Sequence, residues 1–135
     1  MKVKKIILCL FLSSCLTLSA VASQSNKGST VHAASLVSRQ TAALSRSGAV
    51  LRITLRATGT ASVKKIKSTF TLQKYTSGAW KKYFSWDRTA DSKVLSVDKD
   101  YKLTEKGKYR IKFTATYYNS STSSTSTVYS SAITY

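Results

Sequence analysis

Histidine and cysteine are nearly absent from this sequence, and the positions of the few copies limit the chemistry available. The only histidine is His32, and the two cysteines are Cys9 and Cys15. Nucleophilic catalysis of the serine–histidine or cysteine–histidine type needs a histidine beside the nucleophile. The chain also has no ligand spacing typical of zinc and no glycine-rich phosphate loop. We therefore expect no enzyme: no catalytic residue, no metal site and no cofactor.

Acidic residues are also scarce, which argues against glycoside hydrolysis and calcium binding. The chain has five of them: Asp87, Asp91, Asp98, Asp100 and Glu105. Asp98 and Asp100 would share a strand face, but lysines flank them, whereas a glycosidase acid needs a carboxyl whose pKa is raised by burial. The run DKDYKLTE lacks the glycine of a calcium loop. We expect these carboxylates to be solvated and to balance lysines.

The shortage of acids leaves a large excess of positive charge. Lysine and arginine total 22 against 5 acidic residues, a formal charge of +17 at pH 7. Such an imbalance indicates polyanionic surroundings, which could be nucleic acid, acidic lipid or the anionic polymers of a cell envelope. The N-terminal segment selects among these partners.

The first residues have the three parts of a secretory signal peptide. Lys2, Lys4 and Lys5 form a charged region, residues 6–18 are mainly apolar, and residues 20–22 read Ala-Val-Ala. The last of these is a small-residue pattern of the kind that signal peptidase cleaves. The apolar run is short for a membrane-spanning helix.

Two alternatives for this segment stay open. Residues 31–33, Val-His-Ala, also fit cleavage after Ala33, and the Leu-Ser-Ser-Cys run ending at Cys15 resembles a lipoprotein lipidation motif. The residues after Cys15 remain apolar, which favours cleavage after Ala22 over lipidation. The chain is then divided into a signal peptide (1–22), a linker (23–34) and a folded domain (35–135).

The predicted export favours an envelope partner. Removing Lys2, Lys4 and Lys5 leaves 19 of the 22 basic residues against all 5 acidic ones, a charge of +14, so the basicity belongs to the folded domain. No cysteine then remains for a disulfide, which favours a bacterial source. We predict a secreted, extracellular protein that associates with the cell wall, its partner an anionic cell-wall polymer or acidic membrane surface. No specific nucleic acid is expected.

A hydrophobic period near two runs through the predicted domain and indicates β-strands. In residues 49–58, Leu51, Ile53, Leu55 and Ala57 lie on one side. Further strands are predicted at 64–75, 79–87, 92–100, 107–118 and 128–135. Residues 35–47 could form a weak helix, although serine and threonine favour strand or loop, and residues 119–127 are expected to be a hydrophilic loop. About seven short strands predict an all-β, antiparallel β-sandwich that is immunoglobulin-like, with a small β-barrel as the alternative.

A local signal supports the sandwich. The run LTEKGKYRI places Leu103, Gly107 and Tyr109 in a turn that enters a strand. This arrangement is similar to the tyrosine corner of immunoglobulin-like sandwiches, in which the tyrosine hydroxyl bonds back to the corner backbone.

Aromatic residues concentrate in one predicted hairpin, TFTLQKYTSGAWKKYFSWD (69–87), which holds both tryptophans. Simple alternation puts Trp80, Phe84 and Trp86 on one face, and large aromatics at strand spacing favour a core role. Trp80 lies beside the turn and is expected to be the more exposed tryptophan. A glycan-binding role would use Trp80 with Tyr75 or Tyr83.

The runs VKKIKSTFTLQKYTSGAWKKYFSW and GKYRIKFTATYYNSSTSSTSTVYSSAI resemble a family of small secreted β-sandwich proteins of Gram-positive bacteria. The pattern is an LQKY-x-x-G-x-W hairpin, then a tyrosine-rich strand beginning G-x-Y-R and a tail rich in serine and threonine. The resemblance covers about residues 50–135. It implies export and a sandwich fold, and it lends no catalytic residue.

Three functions remain open for a module of this kind. If strands 64–75 and 107–118 are neighbours, their outward cations form a platform for phosphate-rich polymers. Those cations are Lys65, Lys67, Arg110 and Lys112. A non-catalytic module binding anionic cell-envelope polymers is therefore favoured, with a secreted cationic antibacterial or toxin-like effector and a glycan-binding adhesion module as alternatives. The charge could equally serve solubility.

Overall fold

A computed structural model describes residues 35–135 of the chain. The predicted signal peptide, both cleavage sites, the lipidation motif at Cys15 and the lone His32 lie outside these residues. The described part contains no helix long and apolar enough to cross a membrane.

Residues 35–135 form two packed antiparallel sheets without a helix, so the predicted β-sandwich is confirmed. The strands are β1 (Val37–Ser47), β2 (Val50–Gly59), β3 (Lys65–Thr76), β4 (Ala79–Ala90), β5 (Val94–Lys102), β6 (Lys108–Tyr118), β7 (Ser123–Tyr129) and β8 (Ile133–Thr134). One sheet has the order β1-β2-β5, and the other has the order β4-β3-β6-β7 with β8 also paired to β6.

The strand order is that of an immunoglobulin-like sandwich in which the fourth strand has changed sheets. In the constant-type arrangement the fourth strand pairs with the fifth. Here β4 pairs with β3 instead, so the second sheet gains a broad outer surface. Between the layers, β1 lies against β6 and β7, and β5 lies against β4.

Most of the core comes from alternate residues of the strands β2, β3 and β6, as the period of two predicts. Leu51, Ile53, Leu55 and Ala57 of β2 are fully buried. The inward residues of β3 and β6 are buried as well: Ile66, Ser68, Phe70, Leu72, Tyr109, Ile111, Phe113, Ala115 and Tyr117. Successive side chains on a strand point to opposite faces, so the intervening polar residues of these strands lie on the outer surfaces.

The predicted tyrosine corner is present at the start of β6. The Tyr109 hydroxyl donates a 2.7 Å hydrogen bond to the backbone carbonyl of Glu105, four residues earlier. Tyr109 and Leu103 are both buried, so this bond fixes the segment that enters β6 from the opposite sheet.

A two-residue turn joins β3 to β4. Ser77 and Gly78 have positive φ values of 52° and 79°. This is the backbone that a type I′ hairpin turn requires, and glycine adopts it without a steric penalty.

The aromatic strand β4 contains a β-bulge that the sequence pattern does not reveal. Leu72 pairs with Phe84, but the next residue of β3, Gln73, pairs with Lys82, so Tyr83 is the extra residue. An inserted residue reverses the inward and outward alternation on one side of the bulge.

The bulge makes the prediction of a shared face for Trp80, Phe84 and Trp86 wrong. Trp86 pairs with the buried Phe70 and stacks on its ring at 5.3 Å, so it covers the core. Trp80 pairs with Tyr75 and lies on the opposite, outward face. Phe84 is directed inward but remains 45% exposed at the open edge of the sandwich.

Residues 35–47 contain strand β1, as their serine and threonine content allowed, and not the weak helix. The predicted loop 119–127 is wrong, because it contains most of β7. In β7, threonine hydroxyls pair with those of β6: Thr114 with Thr127 at 2.8 Å and Thr116 with Thr125 at 2.9 Å. The predicted last strand, 128–135, is divided between β7 and the short β8.

Candidate functional site

The outward side chains of β4, β3, β6 and β7 form one surface, which we call the outer face. It consists of the odd-numbered residues of β3, the even-numbered residues of β6 and their partners on the two flanking strands. We divide it into a turn half, which lies beside the Ser77-Gly78 turn, and a far half. The turn half contains Gln73, Tyr75, Trp80, Lys82, Lys108, Arg110, Lys112 and Tyr129.

Arg110 is held between two aromatic rings in the turn half. Its guanidinium carbon lies 4.4 Å from the ring centre of Trp80 and 4.4 Å from that of Tyr129. The Arg110 Nε donates a 2.8 Å hydrogen bond to Gln73 Oε1, and Gln73 is its register partner on β3. Stacking and hydrogen bonding together fix the plane of a side chain that would otherwise be flexible.

The terminal nitrogens of Arg110 remain available. Among residues 35–135, the Nη atoms of Arg110 make no hydrogen bond, and no buried side-chain nitrogen or oxygen is without a partner. These nitrogens are therefore open to solvent, with a geometry suited to a phosphate or carboxylate group.

Tyr75 extends the aromatic row at the turn. Its ring meets Trp80 edge to face, with ring centres 5.3 Å apart, and its side chain is 45% exposed. Tyr129, at the opposite end of the row, is 48% exposed. Trp80 contacts both Arg110 and Tyr75, so the tryptophan predicted for sugar stacking is already engaged by protein neighbours.

The cations of the turn half are not neutralised by carboxylates. Lys82, Lys108, Arg110 and Lys112 take part in none of the four salt bridges of the described residues. No aspartate or glutamate occupies an outward position in this half. The local positive charge is therefore exposed to an approaching anion.

The far half differs in charge and chemistry. Lys65 pairs with Asp91 at 3.1 Å, and Asp87 accepts a hydrogen bond from the Thr69 hydroxyl. Lys67 lies 5.8 Å from the Tyr118 ring centre. The remaining outward positions are mostly threonine and serine, so this half is hydroxyl-rich and partly neutral.

The four predicted polyanion-binding residues share a face but do not form one cluster. β3 and β6 are neighbours, as expected, yet they are antiparallel, so Lys67 pairs with Thr116. Lys112 lies four residues from Thr116, which is about 13 Å along the strand. Lys65 and Lys67 therefore belong to the far half, whereas Arg110 and Lys112 belong to the turn half.

The three predicted glycan-stacking residues are also divided. Trp80 and Tyr75 meet in the turn half, but Tyr83 is the bulge residue and lies on the inner side of β4. The Tyr83 ring packs against Tyr109 at 5.4 Å and Tyr101 at 6.3 Å. Tyr83 therefore belongs to the packing around the tyrosine corner, because the bulge removes it from the outer face.

The outer surface of the other sheet offers a contrast. Arg52 pairs with Asp100 at 2.9 Å and Arg56 with Asp98 at 3.0 Å, and both arginines lie on the opposite sheet, as expected. The hydrogen bonds from these arginines hold the pKa of each carboxyl below its usual value. Asp98 and Asp100 thus neutralise arginines of the neighbouring strand rather than the lysines that flank them in the sequence.

Alternation along β6 was enough to find Arg110 and Lys112, and the position of Trp80 beside the turn indicated Trp80 and Tyr75. Alternation missed the parts of the site contributed by other strands. Tyr129 was missed because the strand predicted at 128–135 was not placed beside β6, and Lys82 because the bulge was not foreseen. A signal for Gln73 was present in the sequence, since it follows the outward spacing of Lys67, Thr69 and Thr71.

Comparisons with known proteins do not assign this site. The chain matches no protein-family model, no curated protein and no solved structure.

Proposed function

We propose that this protein is a secreted, non-catalytic binding module that associates with anionic polymers of the cell envelope through the turn half of its outer face. The observation that carries the proposal is the set of uncompensated cations in that half. Lys82, Lys108, Arg110 and Lys112 lie together without a carboxylate, whereas Arg52 and Arg56 on the opposite sheet are neutralised. Export rests on the signal-peptide pattern of residues 1–22.

The turn half presents charge of one sign only, which supports an interaction surface there. All four salt bridges of residues 35–135 lie away from the turn half or on its inner side. A coat that served solubility alone would intersperse both signs over the surface. A face with one sign of charge instead attracts polyanions, and the attraction weakens as salt screens it.

Binding of the purified protein to isolated Gram-positive cell walls tests the proposal. The walls are used intact and after chemical removal of their anionic polymers, over a series of salt concentrations. We expect binding at low salt that declines with added salt and with polymer removal. Absence of binding to intact walls at low salt would show that the proposed function is wrong.

Two triple variants separate a specific face from diffuse charge. One replaces Lys82, Lys108 and Lys112 by alanine. The matched control replaces Lys64, Lys93 and Lys102, which are exposed lysines outside the outer face, and removes the same charge. We expect the first variant to lose most of its wall binding and the control to keep most of it. Equal losses would contradict a role for this face.

A glycan-binding role is the second candidate, and the exposed rings of Tyr75 and Tyr129 favour it. Aromatic faces that line a flat surface can stack on sugar rings through apolar contact. Neutral polysaccharide that competes with anionic polymer for the protein would support this candidate. Competition by anionic polymer alone would support the first.

A further inference from the structure

We propose that Arg110 is a preorganised clamp for one oxyanion of the polymer, with Trp80 and Tyr129 as positioning residues. This inference rests on the proposed function and adds to it. It assigns the ligand a chemical class: a polymer whose repeating unit presents a phosphate, carboxylate or sulfate group to a guanidinium of fixed orientation.

The guanidinium of Arg110 is held in place by its neighbours. Arg110 lies between two rings at 4.4 Å each, and its Nε is bonded to Gln73. Ordering a long side chain on binding costs conformational entropy. At Arg110 much of this cost is already met in the free protein, because the rings hold the side chain in place.

Arg110 retains hydrogen-bond donors that Gln73 does not use. The Nε–H is used by Gln73, so the available donors are those of the two Nη atoms. Two parallel N–H groups match two oxygens of a phosphate, carboxylate or sulfate group. A lysine at this position would keep the charge but lose both the paired donors and the planar stacking.

Trp80 positions Arg110 and has an aromatic neighbour of its own. One ring face of Trp80 contacts Arg110, and Tyr75 meets the same ring edge to face. The tryptophan therefore acts on the ligand through Arg110. Lys82, Lys108 and Lys112 surround the clamp as mobile charges that attract the polymer without fixing an individual group.

Arg110→Lys tests the clamp because it preserves net charge. Affinity is measured for linear polyphosphate, polygalacturonate, dextran sulfate and neutral dextran over a salt series. We expect Arg110→Lys to weaken binding of the anionic polymers about tenfold with little change in the dependence of affinity on salt concentration. Lys112→Ala should instead make affinity less dependent on salt concentration, since it removes one phosphate-neutralising charge.

The positioning role of Trp80 has its own readout. Trp80→Ala should weaken binding, and Trp80→Phe should restore much of it, because phenylalanine keeps a ring against Arg110.

The double variant Arg110→Lys/Lys112→Arg keeps the composition of the face. It should bind as weakly as Arg110→Lys, since an arginine at position 112 would lie beside Tyr129 and Thr71 and so lack both Trp80 and the Gln73 acceptor. Thermal unfolding of each variant confirms that the fold is intact.

The outcomes separate the clamp from the general function. Binding of Arg110→Lys equal to that of the parent protein would overturn the clamp and leave electrostatic association in place. Absence of binding by the parent protein to every anionic polymer at low salt would overturn both. Selective binding of polyphosphate, polygalacturonate or dextran sulfate would identify the anion as phosphate, carboxylate or sulfate. Equal binding of neutral dextran would overturn the clamp.

Discussion

The Tyr117 hydroxyl donates a 3.0 Å hydrogen bond to Gln40 Oε1 and so joins the two sheets across one edge of the sandwich. Gln40 in turn donates through Nε2 to the backbone carbonyls of Phe113 and Ser126. Tyr117 is fully buried, and Gln40 gives its hydroxyl a polar partner at the margin of the core.

This arrangement predicts a loss of stability at alkaline pH. Burial raises the pKa of Tyr117 from 10.0 to about 12. A neutral phenol with a raised pKa stabilises the fold fully below pH 10, and the contribution is lost as the pH rises through about 12. We expect the stability difference between the parent protein and Tyr117→Phe to change in favour of the variant over this range.

Urea unfolding at a series of pH values measures that difference. Lysines also titrate in this range, but they contribute equally to both proteins, so the difference reports Tyr117. A difference that stays constant from pH 9 to pH 12 would contradict the assignment.

The tyrosine corner predicts that loss of the Tyr109 hydroxyl lowers the stability of the fold. Tyr109→Phe removes the hydrogen bond to the Glu105 carbonyl while keeping the buried ring. We expect the free energy of unfolding to fall by about 1 kcal/mol, the usual net value of such a bond. Tyr129→Phe is the matched control, because the Tyr129 side chain is 48% exposed and its hydroxyl has no hydrogen bond among the described residues. Similar values for the two variants would argue against a structural role for the corner.

Replacement of either of two glycines by alanine should lower the stability of the fold, but for different reasons. At Gly78, with φ of 79°, an added Cβ meets no atom within 4 Å, so Gly78→Ala should cost about 1 kcal/mol of stability through backbone strain alone. At Gly59, an added Cβ would lie 2.5 Å from Val63, so Gly59→Ala should cost about 1–3 kcal/mol through overpacking.

A second substitution separates these two mechanisms. Val63→Ala should reduce the cost of Gly59→Ala, since it removes side-chain atoms that the new Cβ would meet. It should leave the cost of Gly78→Ala unchanged. Chemical denaturation of the single and double variants measures both interactions, and equal coupling at the two glycines would contradict the distinction.

The two tryptophans predict different spectroscopic responses to a ligand. Trp80 contacts Arg110 on the outer face, whereas Trp86 stacks on the buried Phe70. Addition of polyphosphate should change the fluorescence of Trp86→Phe, which retains Trp80. It should leave that of Trp80→Phe nearly unchanged. A response carried by Trp86 would place the ligand at the edge between β4 and β5.

The fold was largely predictable because the core strands have simple alternation. In β2 and β6 every predicted inward residue is buried, since hydrophobic burial on a pleated strand imposes a period of two. The tyrosine corner was predictable because it depends on a short local motif. The pairing of β4 with β3 was predicted from the turn beside Gly78 rather than from alternation, and it is confirmed.

The parts that escaped prediction depend on contacts between distant residues. The strand β7 has few apolar residues, and its place in the sheet is supported by pairs such as Thr127 with Thr114. The bulge at Tyr83 involves no glycine and leaves no periodic signal. The site is therefore only partly visible in the sequence, because the assembly of its residues around Arg110 depends on the register of four strands, β4, β3, β6 and β7.

The bulge in β4 also divides one strand into two parts with separate constraints. On the Trp86 side of the bulge, inward residues must pack against the core. On the Trp80 side, residues contact solvent and the neighbours of Arg110. Substitutions before Tyr83 can therefore alter the exposed surface while the packing beyond it stays the same. Under the proposed function, ligand preference could vary in one part of this strand on an unchanged scaffold.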